Sequence, residues 1–514
     1  MQGVQIVLFL VAVATVVATF AERVSVPAPS LLVVAGLIVG LFPIAGRIHV
    51  TPELVSLVVL PPLLYAAGEE LSWRELKRLW RPVTLLAVGL VLVSAAAVGF
   101  VTAMLTPLSP ALGFVLGAVL ASTDPVAVTA LGRRLALPPR LQTLVQAESL
   151  FNDATSLILF RIATAAAVAG GAVGWTGVAV DFVRLAGGGV LAGAVVAAGV
   201  GWVRRRTEDP IVESVIALIV PYLAYVSAEA VHASGVTAVI VAAVILGIRQ
   251  HELTNPGTRL QLSAVYGTLI FLLESVVFSL IGLQLPGQIR DLSAAEQSWA
   301  PAVLAIALTL VVVRVAWMLP LAAFQQWRSG GRLRPSWQVP AVVSWAGARG
   351  VVPLAAALSI PLTTASGLPL PHRSLLMVLA TGVIVVSLIA QGFTLAPLVR
   401  LSGLAVSPDH TQAEYVRARR RLTEIAAGYI EQIEDLEAAP PAVLAHVRRS
   451  LQAQMDLDQE SEDLTGAYGR MRRDVLAVQS DALTRMYADG EIGPETHRRL
   501  QRHFDRQDQR FTDP

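Results

Sequence analysis

Residues 141–167 read LQTLVQAESLFNDATSLILFRIATAAA. The stretch is mostly apolar and long enough to cross about 30 Å of hydrocarbon as a helix. Near its middle lies Glu148-Ser149-Leu150-Phe151-Asn152-Asp153. Glu148 and Asn152 are spaced i, i+4, as are Ser149 and Asp153, so all four fall on adjacent faces of one helix. Two acids and two polar side chains turned toward lipid at that depth would cost several kcal/mol. They are therefore expected to face a polar cavity or a partner. All offer oxygen or amide groups, without sulfur or imidazole, which suits a hard cation rather than zinc or copper. A carboxylate able to hold either a proton or a cation also supplies the chemistry of exchange. The alternative is a purely structural polar network.

The rest of the chain has the same character. Of 514 residues, 54% are hydrophobic and 15% charged, against about 45–50% and about 25% in soluble chains. That excludes an ordinary cytosolic enzyme, a disordered chain and a nucleic-acid binder, and points to a helical membrane protein. There is no cysteine, so disulfides, thiolate metal sites and cysteine nucleophiles are excluded. Apolar stretches are counted at roughly 3–20, 30–45, 53–67, 82–105, 111–131, 141–167, 180–203, 211–230, 235–248, 263–285, 299–325, 339–360 and 375–400. That makes about thirteen spans; the ninth is short and the third is expected to be broken by Pro61-Pro62. The first lacks a basic leader, which argues against a cleaved signal peptide.

Two more spans carry polar interruptions. The fifth contains Ala121-Ser122-Thr123-Asp124-Pro125. Proline removes a backbone donor and obstructs the carbonyl four residues earlier. Opened backbone at membrane depth is tolerated where it lines a cavity or is buried in protein. The twelfth contains Gly347-Ala348-Arg349-Gly350-Val351-Val352-Pro353. An arginine there needs a carboxylate or carbonyls. Glu148 is the preferred partner, about a turn from Asp153, which would leave Asp153 as the titrating acid. The reverse assignment, with Glu148 titrating, is the alternative. If spans 1–6 and 8–13 are inverted repeats around the seventh, the fifth and twelfth hold equivalent places. Such matched, interrupted spans point to a midplane transport site.

Basic residues set the expected orientation. Loops after odd-numbered spans hold 16 arginines and lysines, against 3 in loops after even-numbered spans. The N-terminus is thus expected outside and the C-terminal tail in the cytoplasm. Residues 1–400 carry a balance of +7 and residues 401–514 one of −5. We read 1–405 as a transmembrane domain and 406–514 as a helical cytoplasmic tail. In the tail, Leu422, Ile425, Tyr429, Ile433 and Leu436 form an apolar stripe, ended by Pro440-Pro441. The tail is expected to pack on itself or on a partner. Among the remaining buried charges, Arg161 is expected to pair with an acid elsewhere. Arg314 and Glu274 are read as structural partners rather than pathway groups. Glu229 and His232 are expected to be solvated near an outer helix end, and Glu69 and Glu70 to sit at the inner mouth.

Ser122-Thr123-Asp124-Pro125-Val126-Ala127-Val128, Glu148-Ser149-Leu150-Phe151-Asn152-Asp153 and Gly347-Ala348-Arg349-Gly350 together resemble the monovalent cation–proton antiporters. The likeness is to the sodium/proton exchanger branch with its bacterial NhaP-like members, and it covers roughly residues 1–400. It implies a homodimer in which spans 1–3 and 7–10 form the dimerisation side. Spans 4–6 and 11–13 would form a mobile core, with spans 5 and 12 unwound and crossing. It implies that Asp153 binds the cation or the proton, with Ser149, Thr123 (main chain) and Asp124 as neighbouring ligands. Asn152 matches the Asn of the family's Asn-Asp pair, which is similar to electroneutral members. Glu148 and Arg349 match a structural ion pair. One departure is Ala66, where many relatives carry a glutamate; Arg161 is also not explained by the motif.

The expectation is a non-enzymatic antiporter of the bacterial inner membrane, exchanging sodium for protons in the service of pH homeostasis. Lithium and potassium are the other candidate ions, and no cofactor is required. The competing readings are potassium/proton exchange, and a cation channel or sensor with the tail as output. An intramembrane hydrolase would want a histidine–metal cluster or a serine–base pair, and no histidine lies at mid-span near the polar cluster.

Overall fold

The computed structural model describes residues 11–17, 26–42, 55–126, 138–169, 175–207, 209–293, 298–328, 338–364, 367–403, 408–435, 442–450 and 478–486, with scattered single positions including Glu296. Most of the first expected span and of the loops holding Arg23, Arg47, Arg133, Arg134, Arg332 and Arg334 lies outside them, as do Leu436 and Pro494. The regular secondary structure of the described residues is helical, apart from one isolated β-bridge between Thr363 and Pro369. They fall into two compact units, Met1–Val406 and Ser407–Pro514.

In the first unit the helices are α1 (Ala28–Gly40), α2 (Leu60–Glu69), α3 (Trp73–Leu105), α4 (Pro110–Leu120), α5 (Pro139–Ala169), α6 (Trp175–Arg204) and α7 (Pro210–Ala230). They continue as α8 (Gly235–Ile248), α9 (Pro256–Arg290), α10 (Trp299–Arg328), α11 (Gln338–Trp345), α12 (Val351–Leu358) and α13 (Arg373–Ser402). Seven of the described helices are long and apolar enough to cross a membrane, and four more are shorter and apolar. Their starts follow local rules. Ser109 and Ser234 accept backbone bonds at the heads of α4 and α8, and Asp209 does so at α7, where Pro210 takes the first helical position. Pro61 and Pro62 leave the third span helical over Ser56–Glu69, and sit where a π turn at Val55–Val59 passes into α2.

Both expected interruptions are present. α4 stops at Leu120, residues 122–125 are extended, and helix resumes at Val126. α11 stops at Trp345 and α12 begins at Val351, with residues 347–350 extended between them. By contrast α13 is one continuous 30-residue helix, largely buried, running past both breaks. Charge also closes helix ends: Arg204, last in α6, reaches Glu213 in the first turn of α7 (3.2 Å) and Thr254 (2.8 Å), each charge at the favourable pole of its helix dipole.

The second unit contains α14 (Pro408–Asp435) and helical segments at 442–450 and 478–486. α14 ends before Pro440, as expected. It buries Thr423 and Ile430, while Leu422, Ile425 and Tyr429 of the expected stripe are exposed.

Candidate ion-binding site

The two interruptions meet. Asp124 N donates to the Ala348 carbonyl at 2.7 Å, joining one opened segment to the other. The Asp124 carboxylate accepts from Val126 N (2.9 Å), where the fifth span turns helical again, and from Val351 N (3.3 Å), the first residue of α12. One side chain thus serves the orphan donors at two helix starts, where negative charge is stabilised. Gly350 is required by this approach, because a Cβ there would fall 1.6 Å from Asp124 Oδ2.

α5 passes beside the opened segment and holds it through its polar cluster. Asn152 Nδ2 donates to Thr123 Oγ1 (2.7 Å) and its Oδ1 accepts from Thr123 N (3.3 Å). Ser149 Oγ donates to the Thr123 carbonyl (2.5 Å). Ser122 Oγ donates to Asp153 Oδ1. The i, i+4 spacing therefore brings Ser149, Asn152 and Asp153 to Ser122, Thr123 and Asp124. All six line or border one site, and five of them are buried. Ser122 was legible only as part of the motif and carried no assigned role.

Glu148 and Arg349 do not pair as expected. Arg314 of α10 takes Glu148 in a two-bond fork, Nη1 to Oε1 at 2.6 Å and Nη2 to Oε2 at 2.8 Å. Arg314 Nε also reaches the Val343 carbonyl near the end of α11 (3.1 Å). Its guanidinium lies against Gly347, where a Cβ would come within 2.9 Å. Arg349 instead donates to two carbonyls, Leu120 at the end of α4 (3.1 Å) and Gly347. Its planar fork supplies the donors that the broken helix ends lack, with positive charge at a helix C-terminus. The reading of Arg314 as structural holds; its partner is Glu148 rather than Glu274.

Asp153 lines a cavity of about 370 Å3 together with Ser122, Thr123, Asp124, Ser149 and Gln146. Ala66 and Glu70 of the third span's segment line it too, as does Glu274 of α9. Among the described residues no arginine, lysine or histidine lines this cavity. A monovalent cation bound there would find the Asp153 carboxylate, the Ser122 and Ser149 hydroxyls and the Thr123 carbonyl within one wall, a donor set of hard oxygens. Arg161, two turns along α5, is paired elsewhere: its Nη2 lies 2.5 Å from Glu229 Oε1. Glu229, expected to be solvated, is thus ion-paired and also accepts from Gly235 N (3.2 Å).

Residues 9–401 match the family model described as sodium/hydrogen exchanger, transmembrane. The chain belongs to the sodium/hydrogen exchanger family. It is similar to the Na+/H+ antiporter ApNhaP of Aphanothece halophytica, 32% identical over 81% of this chain and 76% of that one. It is also similar to the sodium, potassium, lithium and rubidium/H+ antiporter of Bacillus subtilis, 29% identical over 99% of this chain and 78% of that one. Its fold is like that of the sodium proton antiporter MjNhaP1 from Methanocaldococcus jannaschii, with a TM-score of 0.62 over 78% of this chain and 98% of that one at 20% identity. The protein is a multi-pass membrane antiporter that exchanges monovalent cations for protons.

Proposed function

We propose that the chain is an electroneutral sodium/proton antiporter of the bacterial inner membrane, with Asp153 as the shared cation and proton site. The observation that carries this is the surroundings of Asp153: a cavity-lining carboxylate whose one hydrogen-bond partner among the described residues is a neutral hydroxyl. Such an acid is free to trade a proton for a cation. Ser149, Thr123 and Asp124 are its neighbouring ligands. Asn152 contributes no charge and is occupied with Thr123, so a single acid titrates per cycle and one proton is exchanged per cation. A core loaded with either ion crosses, while an empty, charged core is held back by the cost of burying an unpaired charge.

The same reading has thirteen spans, the N-terminus outside, residues 1–405 as the transmembrane domain and 406–514 as a cytoplasmic tail. The interrupted fifth and twelfth spans cross, and a mobile core moves against a homodimeric scaffold. Potassium/proton exchange is the second reading, favoured by the breadth of ions named for the Bacillus subtilis relative. Oxygen ligands alone do not separate the two ions. The test uses purified protein in liposomes with an imposed inside-acid pH gradient, to which sodium, lithium or potassium is added separately. The reading expects sodium to raise the internal pH fastest. A response to potassium but not sodium selects the second reading, and no response to any cation removes both.

A further inference from the structure

Glu274 is an acid in the middle of a 35-residue apolar helix, α9. It is not part of the motifs that build the Asp153 site. Gly267, Ile270, Phe271 and Glu274 follow one another at helical spacing, and all four line the cavity, so Glu274 sits on the stripe of α9 that faces Asp153's cavity. No hydrogen bond or ion pair to its carboxylate is found among the described residues, and the charged side chain within electrostatic reach of it is Asp124. The arginines of the neighbourhood are committed: Arg314 to Glu148, Arg349 to carbonyls and Arg161 to Glu229. A carboxylate at that depth without a structural partner is expensive to keep. Among the described residues nothing neutralises it, and its carboxyl is open to whatever enters the cavity.

We propose that Glu274 is a recruiting group for the monovalent cation, an acid on the cavity wall that raises cation occupancy of the cavity without being the site of proton exchange. This rests on the reading of Asp153 as the exchange site. The two acids differ in attachment: Asp153 belongs to α5 and the interrupted spans, Glu274 to a continuous helix of the proposed scaffold. The cation is drawn by both charges and is released to Asp153, whose Ser122, Ser149 and Thr123 oxygens complete its shell.

The test measures binding of radioactive sodium to the purified full-length protein at pH 8, alongside proteoliposome exchange, for the wild type, Glu274→Gln and Glu274→Asp. Removing this acid from the wall of a partly desolvated cavity is expected to weaken sodium binding by about fivefold or more. The half-saturating sodium concentration of exchange rises in step, and the maximal rate stays within about twofold. Glu274→Asp, which keeps the charge, recovers most of the affinity. Unchanged sodium affinity in Glu274→Gln overturns the proposal, as does loss of maximal rate in a normally folded variant at unaltered affinity. If the wild type binds sodium but does not exchange it, the exchange reading fails, while the binding comparison still decides the role of Glu274.

Discussion

Glu148 and Asp153 stand five residues apart on α5, and both are buried, yet their surroundings are opposite. Glu148 faces α10 and the end of α11, and both its oxygens are taken by the Arg314 fork. Asp153 faces the cavity, with the Ser122 hydroxyl as its partner. Burial therefore does not by itself set the proposed transport acid apart. Pairing does: an acid matched to a buried guanidinium is held in one charge state, while an acid matched to a neutral hydroxyl can change it.

The contrast can be broken most forcefully at Arg314. Arg314→Ala leaves Glu148 buried and unpaired, and breaking a buried pair this way costs about 3–5 kcal/mol. Thermal unfolding in detergent should show a larger loss of stability than Arg349→Ala or Glu296→Gln causes. Glu148→Leu combined with Arg314→Met should recover much of it, since apolar replacements of a buried pair are often tolerated. Recovery of stability without recovery of exchange would mean that the pair does more than hold the fold.

Arg349→Ala should follow at a smaller loss. It strips donors from two buried carbonyls, at about 1–3 kcal/mol for each unsatisfied group, but strands no opposite charge. If Arg349→Ala were as damaging as Arg314→Ala, the division of labour between the two arginines would be wrong.

The smallest effect belongs outside the membrane. Glu296, between α9 and α10, accepts from Ser293 Oγ (2.8 Å) and lies 2.8 Å from His372 Nδ1 at the start of α13. Desolvation pushes this carboxyl up, but the bonds from His372 and Ser293 outweigh it and hold it below the usual range. A carboxyl lowered in the folded state adds stability above its unfolded value, and that contribution is lost as pH falls through the folded one. Glu296→Gln should thus lower the melting temperature slightly at neutral pH, with the difference from wild type closing in acid. A difference that persists or widens in acid would contradict this.

The two interruptions and the polar cluster were legible because each is a local signal: a proline beside polar residues, and i, i+4 spacing within an apolar run. The family followed from three such signals in one chain. Partner choice was not legible. Glu148 and Arg314 are 166 residues apart, and only the placement of α10 in space decides that Arg314, and not Arg349, reaches the acid. The carbonyl role of Arg349 depends on where α4 ends in space, which spacing along the chain does not encode. Glu274 was visible as a charge in an apolar span, but its orientation into the cavity depends on which stripe of α9 the neighbouring helices leave open. Pro61 and Pro62 were read as a break, whereas the helix takes them in beside a π turn at Val55–Val59, which spacing along the chain does not encode.

Asp153 is proposed to carry both ions. The most direct measurement is sodium-triggered alkalinisation in proteoliposomes for wild type and Asp153→Asn, with folding of the variant checked by its melting temperature. The account predicts that the variant is folded and shows no coupled exchange at any sodium concentration. Full sodium/proton exchange by Asp153→Asn would contradict it, and would turn attention to the remaining acids of the cavity.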